Sequence, residues 1–376
     1  GSRRAAATQT EEVGGSSSAT FFGPSLAVPD GFQGSAVIRS DQPINLIVNA
    51  IGADGAMWAS YGGVTQPARV QYLPLLMRDN RGWNTELFVQ NAGDDTLSDG
   101  VVEVLDGAQV MARVAIPALP PGHSFRLDQA LQADLGSGFV GSARVSGSQP
   151  LAAVVNETNG RTLLSYSGFG GGQRRVHAPL IMTENRGWST GFQVQNVGSR
   201  DTDVELWIGG AVVDRVRVAA GGSHAWYPVP GTQPGFVGAA TAIGEPGAEL
   251  VGMVNEVHRP SAQGMAYRAF TVGTNVVEMP LIMTDNRGWY TGVQVQNVGS
   301  AGTTAVLRVN GQVIDEVFIA AGESKTWYPL PGTSAGFVGA ATVEGGIGSQ
   351  LVGIVNQGNL TDLPGDTSLS YEAGNR

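Results

Sequence analysis

Three acid–asparagine pairs are the first residues whose types suggest chemistry: Asp79-Asn80, Glu184-Asn185 and Asp285-Asn286. Oxygen ligands at a loop tip can hold Ca2+, but that ion takes about six to eight oxygens. No dense run of further acids surrounds these pairs, so they read as turns. The histidines, His123, His177, His224 and His258, fall in no HExxH or HxH spacing. There is no GxSxG elbow, no Walker loop and no GxGxxG opening a helix. The chain has no cysteine, which excludes disulfides, thiolate metal sites and a cysteine nucleophile. "GFGGGQRR" from Gly168 is glycine-rich but lies between repeats and reads as a linker. The sequence therefore points to a non-enzymatic protein with no catalytic residues, no metal and no cofactor.

The elements that would position such residues are repeated. "PLIMTDNRGWYTGVQVQNVGS" from Pro280 differs from the stretch at Pro179 in three letters, and a looser copy starts at Pro74. The motif tryptophans, Trp83, Trp188 and Trp289, set a period of about 100 residues, the size of a domain rather than of a solenoid repeat. A second motif follows each, "GFVGSARV" at Gly138, "GFVGAATA" at Gly235 and "GFVGAATV" at Gly336. A third closes the unit, ending at Glu157, Glu256 and Gln357.

The later motifs occur a fourth time, as "DGFQGSAV" at Asp30 and "INLIVNA" ending at Ala50. The chain thus carries three first halves and four second halves. The expected division is a flexible tail over 1–13, an incomplete unit over 14–68, and full units over 69–172, 173–273 and 274–376.

Within the last unit, "TGVQVQNVG", "TAVLRVNG" and "VIDEVFIA" alternate apolar and polar residues, the period of a half-buried strand. Asn310-Gly311 between two such runs is a hairpin signal. Seven or eight short strands per unit and no helical period predict an all-β protein of tandem immunoglobulin-like antiparallel sandwiches, the N-terminal one incomplete. In the recurring turn, Asn286 and Gly288 are expected to supply the special backbone conformations. Trp289 is expected at one end of the sandwich core, and Gln294 and Gln296 on one strand face.

Net charge is −10, which disfavours phosphate-driven binding to nucleic acid. No run of about 18 apolar residues occurs, so no membrane-spanning segment is expected. Trp226-Tyr227 and Trp327-Tyr328 place two aromatics side by side on a strand, so one of each should face outward. With Trp83, Trp188 and Trp289, Trp226 and Trp327 are the candidate repeat-end contacts, for packing or for stacking on surface glycans.

The run "PLIM…NRGWxTGxQVQNVG…GFVGAA…LVGxVNE" resembles tandem modules of secreted and cell-surface proteins of filamentous bacteria, notably Chloroflexota. The resemblance implies an extracellular setting and a β-sandwich, and it implies no activity. A sandwich lacking its first strands leaves unpaired edges, a template for another strand. The incomplete unit could belong to a longer array, pack on a neighbouring domain, or take strands from another subunit. The expected function is a structural subunit of a surface filament, pilus-like fibre or sheath, a homopolymer built from copies of itself. Candidate self-assembly residues are Phe21, Phe22, Val37, Ile38, Leu46, Ile47 and Val48. The alternative is an adhesin or carbohydrate-binding stalk.

Overall fold

The computed structural model describes residues 6–14, 19–29, 31–44, 46–52, 54–132, 134–360 and 363–375. Residues 1–5 of the expected tail and 15–18 of the incomplete unit lie outside the described residues. The described chain is all-β, built of antiparallel sheets.

The N-terminal unit contributes β1 (Ile47–Ile51) and β2 (Trp58–Gly62), a single antiparallel pair. The second unit holds β3 (Ala68–Arg78), β4 (Asn84–Asn91), β5 (Val101–Asp106), β6 (Gln109–Ala115), β7 (Ser124–Asp128), β8 (Phe139–Thr158) and β9 (Leu163–Ser167). The third holds β10 (Arg175–Thr183), β11 (Trp188–Asn196), β12 (Thr202–Ile208), β13 (Ala211–Val218), β14 (Ser223–Trp226), β15 (Phe236–Gly244), β16 (Leu250–His258) and β17 (Gln263–Arg268). The last holds β18 (Val276–Thr284), β19 (Trp289–Asn297), β20 (Thr303–Val309), β21 (Gln312–Ile319) and β22 (Ser324–Trp327). It continues with β23 (Phe337–Glu344), β24 (Leu351–Asn359), β25 (Ser368–Glu372) and β26 (Gly374–Asn375).

In the third unit one sheet runs β10-β15-β12-β13 and the other β14-β11-β16-β17. The last unit repeats this as β21-β20-β23-β18-β26 and β22-β19-β24-β25. In the second unit β8 runs unbroken through both sheets, pairing β3 and β5 with its first half and β4 and β9 with its second. Elsewhere the same course is broken by a turn between β15 and β16, or β23 and β24.

Alternation explains the cores. In β19, Val293 and Val295 point inward and are almost wholly buried. Glutamines on the other face reach the preceding unit: Gln193 of β11 donates to the Pro74 carbonyl at 2.7 Å, and Gln296 of β19 to Thr241 Oγ1 at 3.3 Å. The asparagine ending the same motif is buried and ties a loop. Asn297 Nδ2 donates to the carbonyls of Ala301 and Ile319, as Asn196 does to Arg200 and Val218.

The recurring turn differs from the sequence reading. Arg287 (φ 51°) and Gly288 (φ 79°) are the two left-handed loop residues. Asn286 instead pairs with Trp289 across the turn, N to O at 3.1 Å. A type I′ two-residue hairpin loop has positive φ at both central positions, so the arginine bears it. The same holds at Arg81-Gly82 and Arg186-Gly187. Asn310 (φ 46°) and Gly311 (φ 82°) form the expected hairpin.

Each full unit is locked by one tyrosine of its last strand. Tyr166, Tyr267 and Tyr371 are buried, and each hydroxyl donates to one leucine carbonyl, of Leu75, Leu180 and Leu281. Each also accepts from the N–H of that leucine. Replacing Tyr267 by Phe leaves a buried N–H and carbonyl without partners. Denaturant unfolding is expected to show a loss of about 1–3 kcal/mol.

Candidate functional site

The closing strands of the four units meet in a ring. β9 packs on β17, β17 on β25, β25 on β2, and β2 on β9. The incomplete unit is thus the fourth member of this ring and packs on its neighbours within the same chain. Trp58 packs against Trp289, with 5.5 Å between ring centroids and the planes tilted by 59°, joining the first and last units.

Asp366 holds all four members. Its carboxylate accepts from Leu163 N at 2.9 Å, Gly264 N at 3.0 Å and Ser368 N at 3.3 Å. Its backbone carbonyl accepts from Trp58 N at 2.9 Å, and its N–H donates to the Ala56 carbonyl at 2.8 Å. The residue is fully buried, and burial outweighs its three donors, lifting its carboxyl to about 7. Repeat alignment places Arg161, Ala262 and Ala56 at the same position in the other units, so only the last unit can supply this acceptor. Sequence reading missed Asp366, because it recurs nowhere and only ring closure brings its donors together.

A second set of groups joins successive units. Asn255 Nδ2 donates to Glu157 Oε2 at 2.7 Å, and Asn356 Nδ2 to Glu256 Oε2 at 2.8 Å. Both glutamates are fully buried. In each pair the other oxygens, Glu157 Oε1 with Asn255 Oδ1 and Glu256 Oε1 with Asn356 Oδ1, have no donor. A proton on the carboxyl supplies that donor, closing an acid–amide pair with two hydrogen bonds. Burial raises both carboxyls to about 8, so the neutral acid is the main form at pH 7. The groups facing them are Tyr166 and Tyr267, whose hydroxyls are pushed up by burial and by the adjacent glutamate. The "VNE" motif carried this arrangement in plain sight, but nothing in a strand pattern shows that its asparagine reaches the previous unit's acid. Gln357 stands where a third glutamate would, and Ala50 where a fourth would.

The residues singled out in the sequence separate into three groups. Trp226 and Trp327 are core residues, each 3 % exposed, with indole N–H donating to Asp214 and Asp315. Their neighbours Tyr227 and Tyr328 face outward, 46 % and 52 % exposed. Trp83 and Trp188 are half-buried against the cores of their own units, and Trp188 lies over His258. Of the motif tryptophans, Trp289 makes the contact with another unit. The acid of the turn is used locally: Asp79 accepts from Ser137 Oγ.

The candidate assembly residues all belong to the incomplete unit. Phe21, Phe22, Val37, Ile38 and Ile47 are exposed, while Leu46 and Val48 are half-buried. Among described residues 19–44 no strand forms, against the expected strands at "ATFFGPSLAV" and "GSAVIRS". The partners of those segments would be first-half strands, and among the described residues of this unit none is present to pair with them. Other buried ionisable groups stay within one unit or one interface: His177, lowered to about 4 by burial, meets Thr241 Oγ1 at 3.0 Å.

Comparison with protein-family models and with curated proteins finds no match for this chain. Among the described residues no cluster of three or more metal-ligating side chains occurs, and no helix is long and apolar enough to cross a membrane.

Two predictions follow from the ring. Asp366→Ala strips acceptors from buried N–H groups on three units and should lower stability by at least about 2 kcal/mol in chemical unfolding. The glutamates and Asp366 bind protons more tightly folded than unfolded, so each loses stability as pH rises from its unfolded value to its folded one. His177 acts oppositely, but only below its unfolded value of 6.5. Thermal stability should therefore fall between about pH 5.5 and 8.5. A Glu157→Gln, Glu256→Gln double variant keeps both hydrogen bonds and should flatten most of that dependence.

Proposed function

We propose that the protein is a non-enzymatic structural component of the cell exterior. It is a subunit that assembles with other repeat-bearing chains, copies of itself included, into a filament, fibre or sheath. The observation that carries this reading is the open face of the incomplete unit. Ile44 is 43 % exposed, whereas its counterparts Leu151, Leu250 and Leu351 are fully buried. Ile38 is 37 % exposed, against complete burial of Val145, Ala242 and Val343. Apolar side chains exposed where the other units bury them suit an interaction surface. The free edge of β1, which pairs only with β2 among the described residues, adds unpaired backbone beside it. The extracellular setting rests on the sequence resemblance.

A second reading, a glycan-binding adhesin, is favoured by Tyr227 and Tyr328. They are exposed at equivalent positions, each lying over a glycine of the neighbouring strand, Gly191 and Gly292. Flat aromatic faces of this kind suit sugar rings.

Electron microscopy of protein taken from the cell surface distinguishes the two. Regular fibres or sheets are the expected result. Isolated particles that bind glycans, with binding lost on Tyr227→Ala and Tyr328→Ala, would favour the adhesin.

A further inference from the structure

β6, β13 and β21 are equivalent strands of the three full units, and each ends its sheet. Among the described residues each pairs on one side only. Charge on an edge strand guards it against unspecific pairing. In two units that guard is an ion pair across the last two strands. Glu103 faces Arg113 at 3.0 Å, and Glu205 faces Arg215 at 2.8 Å. Asp203 faces Arg217 at 3.1 Å. The last unit departs from this pattern. Val306 and Glu316 take the places of Glu205 and Arg215, and Thr304 and Phe318 those of Asp203 and Arg217. Glu316 has no ion pair among the described residues. Phe318 is 67 % exposed and lies over Gly302, and Val313 beside it on the strand is exposed too.

The three edges differ in charge. On β13 both arginines are matched by acids of their own unit. On β6, Glu103 lies in register between Arg113 and Arg144 and pairs with both, which leaves one positive charge over. Ala115 takes the place of Arg217 there, and Val110 and Met111 are exposed. On β21 the signs are reversed. Val306 lies between Glu316 and Glu344, and the one arginine at hand, Arg308, pairs with Glu344, which leaves one negative charge over.

We propose that β21 of one copy pairs antiparallel with β6 of a second copy, Glu316 opposite Arg113, joining two sheets into one. Residues opposite each other in an antiparallel ladder must both turn their backbone groups toward the joint or both away from it. Glu316 and Arg113 hold equivalent places in equivalent strands, so they meet this condition. Met111 then comes beside Phe318, sulfur against ring. Each strand has a register shift near its hairpin, which leaves 112–115 and 315–319 straight for pairing. Like edges do not suit each other. In the same register β21 on β21 sets Glu316 against Glu316, and β6 on β6 sets Arg113 against Arg113. In the ring, β9 and β25 each pack on β17 and on β2, so the units bearing β6 and β21 are opposite members. The contact is therefore head-to-tail, with a free edge left at each end of any row of copies, and it grows an open filament. This joint rests on the assembly reading above.

The test is sedimentation velocity of the full 376-residue protein over a concentration series. Wild type is expected to form larger species as concentration rises. Arg113→Glu and Glu316→Arg each set like charges across the joint, and each should raise the concentration of half-assembly by at least about tenfold. The double variant restores an opposite pair and should assemble like wild type. An equimolar mixture of the two single variants should also recover growth, because each supplies the edge that the other needs. This rescue separates a joint from a loss of folding. A protein that stays monomeric at every concentration overturns the proposal. So does growth that neither reversal affects, or growth lost in the single variants and not rescued. Fibres in surface preparations alongside any of those three results would leave the assembly reading standing on another joint. Growth with the expected losses and rescue, and no fibres in any surface preparation, would do the reverse.

Discussion

The closing strand of each sandwich is an edge strand, and an edge needs a cover. Here the four edges cover one another. β2, β9, β17 and β25 pack in a ring, and a buried carboxylate, Asp366, receives backbone N–H groups from three of the four units. Backbone donors buried without partners are costly, so ring closure and the satisfaction of these groups are one event. The arrangement explains why a half-unit too small to fold alone can be ordered. β2 is held by its neighbours, by the Asp366 backbone and by the Trp58–Trp289 contact, rather than by a core of its own.

The inter-unit contacts are chemically uneven. Two interfaces carry buried acid–amide pairs, and both join full units in succession. The interfaces on either side of the incomplete unit carry Gln357 and Ala50 instead. A buried carboxylic acid is stable only as long as it stays protonated or paired. Two junctions of the ring therefore hold most firmly at mildly acidic pH, and so does Asp366 where the four units meet.

The all-β class, the strand positions in the full units, the Asn310-Gly311 hairpin and the inward valines with outward glutamines were legible from alternation and turn residues. The fourfold count of second halves was legible too. What was hidden depended on contacts between units. Asp366 and the Glu157–Asn255 pair join residues about 100 or more positions apart, beyond the reach of any local pattern. The recurring turn misled for a local reason: Asn-Arg-Gly-Trp offers asparagine as the obvious left-handed residue, yet strand pairing of Asn286 with Trp289 shifts that conformation onto Arg287. Trp226 and Trp327 misled because adjacent aromatics on a strand face opposite ways, and the outward one is the tyrosine in both units.

The central claim is that the β1–β2 pair of the N-terminal unit is the fourth member of the ring. Hydrogen exchange of backbone amides tests it directly. The account predicts that amides of Trp58–Gly62 are protected to an extent comparable with those of β9, β17 and β25, while residues 31–44 exchange rapidly. Uniformly rapid exchange through residue 62, with the three full sandwiches protected, would show that the half-unit is not part of the ring and would contradict the account.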